Sequence, residues 1–152
     1  VDFAVAFLVL IGLVVFYQLT PGSGYHFTPS WALLALLPLL LLALLAALGA
    51  SLWLSAMNVL YRDVGYVLPF LSQIWFFATP IVYSSSSIPE HLRFWYSLNP
   101  MVGVIDGFRW ALLGTPAPNP AWIGASALVA LVMLVSGLVY FRRMERSFAD
   151  EI

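Results

Sequence analysis

Between residues 64 and 83, the side chains able to engage a polar ligand recur at helical spacing. Tyr66, Phe70, Gln73 and Phe77 would share one face, a set of aromatic rings interrupted by one amide. Aromatic faces stack on sugar rings and an amide bonds hydroxyls, so this face suits the lining of a glycan conduit. Helix packing and lipid contact are the commoner uses of such a stripe. Farther along, Glu90 and Arg93, and again Asp106 and Arg109, stand three residues apart, the spacing at which helical side chains pair. A surface pair of that kind contributes under about 1 kcal/mol, and Asp106 with Arg109 reads as a solvated helix pair. Glu90, His91 and Asp106 are the acid–base groups that an enzyme acting at this face would need to converge. His26 and His91 are too few for a metal cluster, and the absence of cysteine excludes thiolate chemistry and disulfides. No catalytic, cofactor-binding or metal-binding set emerges. With no glycine-rich Lys-Ser/Thr signature, ATP would have to be bound by another chain.

The solvent that these residues must live in follows from composition. Hydrophobic residues make up 62% and charged residues 9% of the 152, against about 25% charged in a soluble domain. A bilayer is therefore the expected surrounding. The net charge of -1, from six arginines and seven carboxylates, offers no basic field for nucleic acid. The chain opens Val1-Asp2-Phe3 without an initiator methionine or signal-peptide pattern and reads as truncated or processed at its start.

A spanning helix needs about 20 mainly apolar residues. Four uncharged stretches qualify: residues 3–17, short by a few; 31–57; 64–83; and 121–141. Together they predict an all-α integral membrane fold, one transmembrane domain over 1–152. Pro38, Pro69 and Pro80 are compatible with these spans, because neighbouring groups in a bundle satisfy freed carbonyls. Apart from the ends, the spans carry no Asp, Glu, Lys or His, which argues against an ion pathway. Arg62 between the second and third spans, with Arg142, Arg143 and Arg146 after the fourth, place those segments and the C-terminus in the cytoplasm. Arg93 and Arg109 oppose that vote. The three C-terminal arginines suit anionic lipid headgroups, and Trp31, Trp53, Trp122 and Tyr140 suit interfacial anchoring. The loops Gln18 to Ser30 and Ser84 to Pro120 then lie outside.

The second outer loop is long yet apolar. Pro89 suits a first helical turn with Glu90 near its positive end. Asn99-Pro100 is a second helix start, and Gly114 with Pro116 stops that helix. Met101, Ile105, Phe108 and Leu112 would form its apolar face. The expectation is a short re-entrant or interfacial helical hairpin over 88–114, tolerated at membrane depth where protein or water covers its irregular backbone.

Several stretches are familiar in this order: Asn58-Val59-Leu60-Tyr61-Arg62-Asp63-Val64, Leu68-Pro69-Phe70, Gln73 to Tyr83, Leu98-Asn99-Pro100-Met101, Asp106-Gly107-Phe108-Arg109-Trp110 and Glu145 to Asp150. Together they resemble the permease subunit of type-2 ABC exporters, in particular those that export O-antigen, capsular polysaccharide or teichoic acid. The resemblance covers nearly the whole chain. It implies a six-span permease of the bacterial plasma (inner) membrane, of which these would be the last four transmembrane helices. It also implies a homodimer resting on ABC ATP-binding subunits, with hydrolysis opening a path for a lipid-linked glycan. Asn58, Tyr61, Arg62 and Asp63 would then contact the ATPase subunit, although Arg62 could simply report topology. The hairpin would supply outer gate helices, with Asn99, Pro100, Asp106 and Arg109 as gate residues. The family's interface helix, first two spans and main coupling helix have no counterpart here. A drug or lipid exporter shares this fold, and an integral membrane enzyme on lipid-linked sugars is a third possibility.

Overall fold

The computed structural model describes residues 2–20, 31–61 and 63–149. Arg62, His26 and the rest of the expected outer loop from residue 21 lie outside them, as does the end of the tail from Asp150. Among the described residues six α-helices follow one another: α1 (Asp2–Leu19), α2 (Leu36–Leu60), α3 (Val64–Ala78), α4 (Glu90–Ser97), α5 (Pro100–Leu113) and α6 (Pro120–Ala149). Short 3-10 turns at Trp31–Ala35 and Ser85–Ser87 precede α2 and α4. The described residues contain no strand.

Proline sets several boundaries. Pro38 sits in the first turn of α2, where its missing N–H forfeits no helical bond. Pro100 and Pro120 open α5 and α6 in the same way. The third helix ends at Ala78, earlier than the expected Tyr83, because Pro80 excludes Thr79 from helical geometry. Thr79 is accordingly extended, with φ -99 and ψ 134. Its N–H and hydroxyl both donate to the Trp75 carbonyl, at 3.0 and 2.8 Å, and close the helix end.

Two stretches are long and apolar enough to cross a membrane: Trp31–Leu60 and Pro120–Glu145. The other expected spans, α1 and α3, are shorter apolar helices. At 15 residues, α3 is about 22 Å long, less than the hydrocarbon thickness of about 30 Å.

The core forms where α2, α5 and α6 meet, around Leu42, Ala46, Val104 and Ala130. Small residues bring these helices close. A Cβ on Gly49 would stand 2.8 Å from the Leu134 nitrogen of α6, and one on Gly137 would stand 3.0 Å from the Gly49 carbonyl oxygen. Close backbone approach of this kind is how helices associate where lipid removes the hydrophobic drive between them. Trp53 stacks on Tyr140 across the same interface, with ring centroids 4.6 Å apart, and its Nε1 donates to Ser136 Oγ at 3.0 Å. These two expected lipid anchors thus serve helix pairing as well. No described side chain of α1 or α3 is buried.

Candidate functional site: the α4–α5 hairpin and its contacts

Local chemistry builds the hairpin much as its sequence predicts. Asn99 caps α5, its Oδ1 accepting from the Met101 N–H at 3.1 Å. Gly114 ends the helix in the left-handed region at φ 65, where glycine alone avoids a Cβ penalty. Pro89 is the residue before α4 and not its first residue.

The buried face of α5 differs from the expected one. Val102, Gly103, Val104, Gly107 and Ala111 are buried, whereas Ile105 and Leu112 are only half-buried. Met101 and Phe108 pack partly buried against the core. The glycines decide this. A Cβ at Gly103 would meet Ser126 Oγ at 2.8 Å, and one at Gly107 would meet Leu39 Cδ1 at 2.6 Å. The side with least volume therefore lies against α2 and α6.

Ser126, fully buried on α6, seats the hairpin. Its Oγ accepts from the Gly103 N–H at 3.2 Å and donates to the Ser97 carbonyl at 3.0 Å. On the opposite side the segment after α3 is tied to the hairpin through side chains. Asn99 Nδ2 donates to Thr79 Oγ1 at 2.9 Å, and Arg109 Nη2 donates to the Ile81 carbonyl at 2.8 Å. Ser85 Oγ donates to Asp106 Oδ1, and the hydroxyls of Tyr83 and Tyr96 lie 3.1 Å apart. Thr79, Ser85 and Ser126 did not stand out in the sequence. For Thr79 and Ser126 a lone hydroxyl inside an apolar run was the available signal, whereas Ser85 is one of the four consecutive serines 84–87.

Asp106 and Arg109 are not the solvated pair that their spacing suggested. They lie 3.7 Å apart with side chains 16% and 22% exposed, and Arg109 Nη1 is buried without a hydrogen-bond acceptor. Glu90 and Arg93 are 3.8 Å apart, but Glu90 is 91% exposed. Arg93 Nε donates to the Ile88 carbonyl at 2.9 Å, and its guanidinium lies over the Trp122 ring at 5.8 Å.

The other candidate residues lie away from this cluster. Tyr66, Phe70, Gln73 and Phe77 are exposed along α3. Asn58, Tyr61 and Asp63 are exposed at the α2–α3 turn, at the far end of α3 from the hairpin. Arg62 falls outside the described residues. Among the described residues no three His, Cys, Asp or Glu side chains gather as a metal site.

An apolar helical bundle with two helices long enough to cross a bilayer, and a polar-pinned hairpin before the last of them, fits a membrane protein. The sequence pattern of the ABC-2 type transporter family matches residues 1–113, and the chain belongs to that family of transporter membrane subunits. It is 29% identical over 137 residues to the O-antigen export system permease protein RfbA of Myxococcus xanthus, covering 89% of this chain and 53% of that protein. Two proteins of the same description from Klebsiella pneumoniae are 26% and 28% identical over 102 residues, covering 67% of this chain and 39% of each relative. The chain thus spans about half or less of the length of these relatives. No solved structure matches it.

Proposed function

We propose that this chain is the membrane-spanning part of a permease that exports lipid-linked polysaccharide, of O-antigen, capsule or teichoic acid type. A separate ABC ATP-binding subunit would supply the energy and a second permease copy would complete the path. The observation behind the cargo is the similarity, over most of the chain, to permeases described as O-antigen exporters. ABC-2 membership supports the division of labour with an ATPase.

In this reading the chain is one domain that crosses the inner membrane four times, through α1, the 31–60 stretch, α3 and α6, with the hairpin on the outer side. The shortness of α3 is compatible with crossing, because the first residues of its non-helical continuation are covered. Thr79 and Pro80 are buried, Ile81 N–H donates to the Thr79 carbonyl at 2.7 Å, and Arg109 occupies the Ile81 carbonyl. Irregular backbone at membrane depth needs that kind of cover. Arg142 and Arg143, exposed at the far end of α6, favour a cytoplasmic C-terminus. The exposed face of Tyr66, Phe70, Gln73 and Phe77 is then available for the conduit, and Asn58, Tyr61, Arg62 and Asp63 for the ATPase. Asn99, Pro100, Asp106 and Arg109 would hold the outer gate.

Disrupting the intact gene is expected to remove the surface glycan, and the tagged full-length permease is expected to co-purify with an ATP-binding subunit. Unchanged surface glycan together with export of a hydrophobic drug would replace this cargo with a drug or lipid.

A further inference from the structure

A cavity of about 370 Å³ opens beside the hairpin, between Ser84–Ser85, the end of α5, the Thr115–Asn119 connection and the start of α6. That is at the lower end of the roughly 300–1,000 Å³ usual for small-molecule sites. Its chemistry is mixed. Trp122 provides an apolar wall, and Arg93, whose guanidinium lies 5.8 Å from the centroid of that ring, lines the cavity beside it. Asp106 lines the cavity with Oδ1 engaged by Ser85 and Arg109, while Oδ2 accepts no hydrogen bond among the described residues. Asn119 uses its Oδ1 to cap α6 through the Ala121 N–H at 2.9 Å. Its Nδ2 makes no hydrogen bond among the described residues and remains a donor at the exposed rim.

We propose that this cavity binds a neutral sugar ring, with its C–H face on Trp122 and its hydroxyls shared between Asp106 Oδ2 and Asn119 Nδ2. A pyranose carries an apolar face and a rim of groups that both donate and accept. The cavity offers the complement of each: an aromatic wall, and a carboxylate oxygen and an amide N–H with no hydrogen bond among the described residues. A phosphate fits less well, because the Asp106 carboxylate repels it and pairs with Arg109, while Arg93, the other cation of the lining, is held by Glu90 and the Ile88 carbonyl. The choice of a sugar rests on the glycan-export reading, whereas the cavity and its polar lining do not.

The test uses the full-length permease with its ATP-binding subunit in lipid nanodiscs. The probes are methyl pyranosides of glucose, galactose, mannose and N-acetylglucosamine, and inorganic phosphate as competitor. Saturation-transfer NMR is expected to show binding of at least one pyranoside, undisturbed by equimolar phosphate. Asp106→Asn keeps the shape of the site, and its affinity should fall about tenfold, as for a lost hydrogen bond to a charged group. Trp122→Leu should weaken the same signal independently. Absence of transfer to every pyranoside, equal transfer in both variants, or displacement by phosphate would each overturn the site. Surface glycan in the gene-disrupted strain is scored separately. Pyranoside binding with unaltered surface glycan removes the export reading and leaves the site, and lost glycan with no pyranoside binding does the reverse.

Discussion

Asn99 joins two elements at once: its Oδ1 caps α5 while its Nδ2 reaches Thr79 Oγ1, 2.9 Å away, at the closed end of α3. The hairpin and the third helix therefore share a polar joint just where proline breaks the helix. Replacing Asn99 by alanine removes both bonds. A loss of about 1–2 kcal/mol is expected for the cap together with the neutral hydrogen bond. Thermal unfolding of the purified full-length permease should show the drop, and Thr79→Val, which removes the bond from Asn99 Nδ2 together with the hydroxyl's own bond to the Trp75 carbonyl, should also lower the melting temperature while leaving the α5 cap intact.

Gly103 and Gly124 form a matched pair for testing the close packing of α5. A methyl at Gly103 would strike Ser126 Oγ at 2.8 Å, whereas nothing lies within 4 Å of a Cβ at Gly124. Gly103→Ala should cost about 1–3 kcal/mol through overpacking. Gly124→Ala should be neutral or slightly stabilising, as alanine is favoured over glycine in a helix. Equal melting temperatures for the two variants would remove this account of the hairpin's seating.

The partly buried pair Asp106 and Arg109 should behave as a coupled unit. Arg109→Ala strands a carboxylate that is only 16% exposed and frees the Ile81 carbonyl. A loss on the order of 1–3 kcal/mol is expected, between the values for surface and buried pairs. In a double-mutant cycle with Asp106→Ala, the losses should be less than additive.

Trp53→Phe preserves an aromatic ring against Tyr140 but loses the bond from Nε1 to Ser136 Oγ. About 0.5–1.5 kcal/mol should be lost. Wild-type stability in this variant would show that the ring stack alone holds that end of α2 to α6.

Orientation is open to labelling with single cysteines. A cysteine replacing exposed Ala117 should react with a membrane-impermeant maleimide in intact spheroplasts. One replacing Arg142 should react only after permeabilisation. The reverse pattern would invert the proposed topology.

The sequence by itself determined the helical, apolar character of the chain. It also placed the capped start of α5 at Asn99-Pro100, the stop at Gly114 and the three-residue spacing of Asp106 and Arg109. These are local matters: capping, proline geometry and helical pitch act between neighbours in the chain. The tertiary structure decided which face of α5 is buried, that Thr79 is the partner of Asn99, and that Ser126 receives the hairpin. In a chain this apolar, periodicity marks no inward side, because lipid and core accept the same residues. What singles out a face is how near two backbones can come, and Gly49, Gly103, Gly107 and Gly137 set that distance only once the helices cross.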